Sequence, residues 1–184
     1  MIIRDYAQVD LPAILAIYND AVANSTAIWN DRLVDLEDRR AWAAARVALG
    51  YPLLVAEIDG SVAGYATFGD FRAFDGYRHT VEQSVYVGAA FRRRGIARAL
   101  LQTLEPYARA LGKHALLGGI EAGNAASLSL HAELGFKEVG RLPEVGTKFG
   151  RWLDLVFMQK ILARAFPDRM GPSDRQGIAP DSIP

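Results

Sequence analysis

The chain of 184 residues is 51% apolar and 23% charged, which is the composition of a folded domain rather than a disordered one. Its 21 basic residues balance 21 acidic ones, so no global field draws it to nucleic acid or an anionic membrane, and any anion site must be local. With no cysteine it has no disulfide, thiolate metal site or cysteine nucleophile, and His79, His114 and His131 lack metal-ligand spacing.

The first ten residues carry Arg4, Asp5 and Asp10, unlike a secretory leader. No later apolar run is long enough to span a bilayer, so a cytoplasmic protein is expected. Ile2 and Ile3 read as a short opening strand. Asp10 is expected to cap a helix from Leu11 to about Ala23, with Leu11, Ile14, Leu15, Tyr18 and Val22 on one face. A second helix runs from about Leu36 to Leu49 and stops at Gly50, with Pro52 beyond. PLLVAEI and VAGYATF flank Asp59-Gly60, the signature of a tight hairpin. HTVEQSVYV, His79 to Val87, is another strand.

A helix with Ala97, Leu100, Leu101, Leu104, Ala108 and Leu111 on its apolar face follows and ends at Gly112. Pro106 inside it removes one backbone bond, which predicts a kink or a late helix start. ALLGGIE reads as a strand, Asn124 opens a short helix closed by Gly135, and FKEVGRL and WLDLVFMQ form a final strand pair. The order is that of an α/β (α+β) domain over residues 1–162. Residues 163–184 hold four of the eight prolines and little periodicity, as in a mobile tail.

The stretch SVYVGAAFRRRGIARALL puts three arginines between a strand and an apolar helix. The first amides of a helix lack intrahelical partners and carry the positive end of its dipole. A strand entering such a terminus through a glycine can cradle phosphate on amides from Arg93 to Arg98. The alternative is a solvated turn. No Gly-Lys-Ser/Thr follows, and a single glycine does not make a dinucleotide fingerprint.

Arg92, Gly95 and Ala97, in the pattern Arg-x-x-Gly-x-Ala after a strand, resemble the acyl-coenzyme A pyrophosphate loop of the GCN5-related N-acetyltransferase (GNAT) superfamily. NAASLSLHAELGF, Asn124 to Phe136, is similar to that family's later block. YRHTVEQSVYV and VGTKFGRWLDLVF resemble its phosphinothricin and methionine sulfoximine/methionine sulfone N-acetyltransferase branch. The resemblance covers residues 2 to 161 and implies the GNAT fold, a central, mostly antiparallel mixed sheet flanked by helices.

It also implies acetyl-CoA as co-substrate, without a metal. Backbone groups of Val85, Tyr86 and Val87 would hold the pantetheine arm. The pyrophosphate would rest on Arg93, Arg94, Gly95, Ile96, Ala97 and Arg98, with Arg92 opening the loop. Asn124 would bond the arm or simply cap the helix before Ser127. Glu82 matches the branch's glutamate and is a candidate general base, or a structural carboxylate. The wider family's tyrosine acid is replaced here by His131, which leaves His131, water or an unassisted thiolate as alternatives. By the same match Arg72, Ala73 and Phe74, with Glu82, Gln83 and Ser84, would line the acceptor pocket. Arg78 is a second carboxylate grip or a surface residue. Trp29 lies in the segment that covers the acceptor, or packs in the core.

The segment Gly146 to Trp152 would be a loop reaching a partner subunit's acceptor pocket in a homodimer. The implied reaction is acetyl transfer to the α-amino group of a small amino-acid analogue. The alternatives are another amine (polyamine, antibiotic or protein N-terminus) and a non-catalytic acyl-CoA-binding module.

Overall fold

The computed structural model describes residues 1–162, so the expected mobile tail, 163–184, lies outside the described residues. Seven strands form one sheet in the order β1-β2-β3-β4-β5-β7-β6: β1 (Ile2–Asp5), β2 (Leu53–Ile58), β3 (Ser61–Asp70), β4 (Thr80–Val87), β5 (Ala115–Glu121), β6 (Lys137–Lys148) and β7 (Arg151–Ile161). Every neighbouring pair is antiparallel except β4 and β5, which are parallel. The helices are α1 (Leu11–Asn24), α2 (Leu36–Ala48), α3 (Ile96–Ala110) and α4 (Ala125–Glu133).

The side-chain alternation of a strand explains how one sheet serves two cores. Along β2, Leu53 and Val55 point to one face and pack with Leu11, Ile14 and Ile17 of α1, Ala43 of α2 and Tyr65. Leu54 and Ala56 point to the other and pack with Ile96, Leu100, Leu104 and Ala108 of α3. Burial on both faces makes β2 a nearly continuous apolar run. Asp59 (φ 49°) and Gly60 (φ 74°) turn β2 into β3 with two left-handed residues, as the sequence predicts for a tight hairpin.

Two local expectations change. The Asp10 side chain does not cap α1; it is buried, accepts from the Ala7 amide (2.7 Å) and pairs with Arg4 (2.7 Å), which also reaches Glu57 (2.9 Å). A charged partner thus outcompetes the helix amides for the carboxylate, and Arg4 holds it below the usual carboxylate range. Helix α3 begins at Ile96, so Pro106 causes no late start: it lies within the helix on the exposed side, where water can satisfy the freed carbonyl.

Candidate active site

The site begins where two strands part. β4 is paired with β3 from Val81 to Val87 but meets β5 only over Thr80–Glu82. Beyond Glu82 the β5-facing edge of β4 has no ladder partner, which leaves an open row of backbone groups at Val85, Tyr86 and Val87. The chain then bends through Arg93 (φ 63°) and Gly95 (φ 76°) into α3, whose first turn has no side-chain cap. A left-handed residue on each side of Arg94 turns successive amides toward one concavity.

Strand edge, turn and α4 enclose a cleft of about 680 Å³. Val85, Tyr86, Val87, Arg92, Arg93, Gly95, Ile96, Ala97 and Arg98 line it from one side, and Asn124 and Ser127 from the other. Arg94 is not part of the lining; its guanidinium lies over the Phe91 ring (5.9 Å). Arg92 faces Asp20 (3.5 Å) and Arg98 pairs with Glu133, so the three-arginine turn is not uniformly cationic. The Asn124 side chain caps α4 by accepting from the Ser127 amide (3.1 Å). Ile17 and Ala21 of α1, and Ser25 just beyond its end, also line the cleft, a contribution that sequence motifs did not signal.

The two faces of β4 carry different chemistry. Gln83 turns toward α4, where its amide nitrogen lies 2.6 Å from His131 Nε2. His131 Nδ1 donates to the Ser127 carbonyl (2.7 Å), and in the neutral ring that burial favours Nε2 is the acceptor facing Gln83. Burial lowers the His131 pKa against that hydrogen bond, and the ring is 1% exposed. Gln83 was expected among the acceptor-lining residues; its side chain is instead committed to this buried pair. Gly118 is required here, since a Cβ would sit 2.7 Å from the Gln83 amide nitrogen.

Glu82 and Ser84 occupy the opposite face, by strand alternation. Glu82 lies at the last β4–β5 pair, and burial raises its pKa against the Arg72 charge and the Gly119 amide. Arg72 stacks over Phe71 (4.8 Å), which packs edge-on against Tyr77 and Phe157. Ala73 and Phe74 are exposed in the same loop. Arg78 is not directed at Glu82: its guanidinium donates to the Asp75 carbonyl (2.9 Å) and its carbonyl accepts from Lys113 (2.8 Å).

Residues 14–136 match the acetyltransferase (GNAT) family. The chain belongs to the GNAT family. It is 58% identical to an L-methionine sulfoximine/L-methionine sulfone acetyltransferase of Pseudomonas paraeruginosa, over 85% of this chain and 92% of that one. A phosphinothricin N-acetyltransferase of Alcaligenes faecalis is 42% identical over 83% of this chain and 78% of its own length. A solved acetyltransferase from Salmonella typhimurium with its cofactor acetyl-CoA superposes with a TM-score of 0.88 at 53% identity, covering 92% of this chain and 98% of that one.

This GNAT protein is therefore an acetyl-CoA-dependent N-acetyltransferase, and the cleft suits that co-substrate. An unpaired strand edge offers backbone partners to an amide-bearing arm, and the turn offers amides to a diphosphate. Among the described residues no helix is long and apolar enough to cross a membrane.

The segment Gly146 to Trp152, expected as a loop, is the tip of the β6–β7 hairpin, turning at Phe149 (φ 52°) and Gly150 (φ 70°). It lies against its own chain: a Cβ on Gly146 would overlap the Trp29 ring, and the Lys148 ammonium donates to the Asn30 carbonyl. Thr26 donates to Glu121 (3.0 Å), and Trp29 Nε1 to the Thr26 carbonyl (2.8 Å). The segment from Thr26 to Asn30 is thus tied to β5 and to the hairpin at once.

Proposed function

We propose that this enzyme acetylates the α-amino group of a small amino-acid analogue such as methionine sulfone or methionine sulfoximine, by direct attack within a ternary complex. The observation that carries the reading is Glu82, a half-buried carboxylate of raised pKa where β4 and β5 part, on the same strand as Val85, Tyr86 and Val87, which line the cleft. An amine is mostly protonated at neutral pH and cannot attack until it loses a proton. Glu82, directly or through one water, takes that proton; the nitrogen then attacks the thioester carbonyl, the N–C bond forms and the C–S bond breaks.

His131 positions Gln83 and β4 rather than acting as an acid: both its nitrogens are engaged within the protein and burial lowers its pKa. The thiolate leaves unassisted or takes a proton from water. Val85, Tyr86, Val87 and the turn from Arg92 to Arg98 bind acetyl-CoA, with Asn124 and Ser127 opposite. Arg72 contributes to acceptor binding, and Trp29 covers it. The protein acts in the cytoplasm as a homodimer, whose contact includes the exposed side chains of β6 and the hairpin tip.

The test is thiol release from acetyl-CoA on addition of methionine sulfone, methionine sulfoximine or phosphinothricin, with a polyamine and a peptide N-terminus as comparison. Release with the first group and not the second is expected. Release only with the polyamine or peptide would overturn the acceptor assignment and leave the acetyltransferase intact.

A further inference from the structure

β4 and β5 run side by side as far as the pair Glu82–Leu117 and then part like the arms of a fork. The two strands are parallel, so Tyr86 and Glu121 stand level, each four residues beyond that pair. At this level the segment from Ser25 to Trp29, which follows α1, is attached to both arms. Ile28 is buried in a cluster with Ala21 and Val22 against which Tyr86 of β4 packs. Thr26 Oγ1 donates to Glu121 Oε2 (3.0 Å) at the end of β5. The segment thus spans the open end of the fork.

The Glu121 carboxylate has a second bond. Its Oε1 accepts from the Gly123 amide (2.7 Å), inside the turn that leads from β5 to α4, and the Asn124 amide donates to the Glu121 carbonyl (2.9 Å). A Cβ on Gly123 would lie 2.9 Å from Oε1 and 3.2 Å from Oε2, so the carboxylate folds back over a turn that only glycine leaves open. Each oxygen therefore serves a different wall of the cleft. Ser25 and Ala27, on either side of Thr26, line one wall, and Asn124 lines the other. The sheet itself does not need the Thr26 bond, because β5 is held along its whole length by β7.

We propose that Glu121 is a positioning residue for acetyl-CoA: through Thr26 and the Gly123 turn it sets the spacing between the walls of the fork in which the coenzyme's amide-bearing arm binds. This rests on the reading that Val85, Tyr86 and Val87 hold that arm, and adds what fixes the distance of the facing wall. The oxygens of Glu121 are spent on the protein, so it acts through Ser25 and Ala27 on one side and Asn124 on the other. With the bond broken the walls are free to separate, and groups on both no longer meet one ligand at the same time.

The experiment is calorimetry of coenzyme A, and of ADP, which carries a diphosphate without the arm, against the wild type, Thr26→Val, Thr26→Ser and Gly123→Ala. Thr26→Val keeps the shape and removes the hydroxyl; it is expected to weaken coenzyme A about 3- to 10-fold, the range of one net hydrogen bond, and to leave ADP unchanged. Thr26→Ser keeps the donor and should bind as the wild type does. Gly123→Ala drives a methyl at the carboxylate and should weaken coenzyme A as Thr26→Val does. The double variant should be no weaker than the weaker single one, because both changes break the same bond. Without ligand, Thr26→Val and Thr26→Ser should melt together. Undiminished coenzyme A binding by Thr26→Val, equal losses on coenzyme A and ADP, a Thr26→Ser as weak as Thr26→Val, additive losses, or a Thr26→Val that melts well below Thr26→Ser would each overturn the proposal. A wild type that binds coenzyme A no more tightly than ADP would instead strike the reading of the arm beneath it. Hydrogen exchange over residues 25–30 then decides the bridge: exchange in Thr26→Val no faster than in the wild type overturns it.

Discussion

A carboxylate kept from bulk water holds its proton to higher pH than one in solvent, and Glu82 illustrates what that means for both stability and rate. Its folded pKa lies above the ordinary 4.5, chiefly through burial. Its contribution to stability is therefore full below the ordinary value and is lost as pH rises through the folded one. At neutral pH the ionised side chain works against folding, so Glu82→Gln should melt at or above the wild-type temperature. The same change should lower kcat about 10²- to 10⁴-fold and abolish the acid limb of the pH–rate profile. A variant with undiminished turnover and an intact acid limb would remove the base role. His131 has the opposite sign: burial depresses its pKa below 6.5, so its contribution is full above that value and is lost as pH falls. Motif spacing marks Glu82, Arg72 and Asn124 in the sequence, and the structure sets Asn124 on the cleft wall and Arg72 close enough to act on Glu82. Gln83 was misplaced because a motif reports position along a strand and not which face the side chain takes. The burial of Arg39 between Tyr18 and Trp42 was not legible, because arginines on a helix read as solvated until packing shows one buried.

At the scale of elements, legibility followed burial. α1, α3, β2 and β3 have faces fixed by a core, and their periodicity announced them. β6 did not announce itself in full: nearly all its residues are exposed, Pro143 lies within it and its pairing with β7 is broken by two register shifts. With little buried face there was no alternation to read, so its far half passed for loop. That half packs against Trp29 and bonds Asn30. Gly146→Ala would press a methyl into the Trp29 ring, at a cost of about 1–3 kcal/mol as in other overpacked sites, or push Trp29 aside. The expected outcome is a raised KM for the amino-acid acceptor with an unchanged KM for acetyl-CoA. Steady-state kinetics in both substrates measures it, and an equal rise in both constants would show that the hairpin supports the whole fold rather than the acceptor side.

For the whole molecule, the remaining question is what covers the β6 edge. Val139 (54% exposed), Leu142 (38%), Val145 (49%), Phe149 (55%) and Trp152 (66%) form an apolar strip along that edge and its hairpin tip. Charged residues, Pro143 and two register shifts blunt the edge of β6 against open strand pairing, but they leave these apolar side chains exposed. The chain's zero net charge provides no repulsion to keep copies apart. Self-association through a two-fold contact at β6 is the arrangement that buries the strip on both copies at once. The wild type is therefore expected to sediment as a dimer at micromolar concentration, and Val145→Lys with Trp152→Glu as a monomer. Because Gly146 and Lys148 in the same hairpin hold Trp29 and Asn30, the monomer should lose acceptor affinity while it still binds coenzyme A, whose cleft is lined by β4, the arginine turn and α4 and by no residue of β6. A wild-type monomer would refute the contact. A monomeric double variant with full acceptor affinity would keep the dimer but break its link to the site, leaving the hairpin's hold on Trp29 sufficient within one chain.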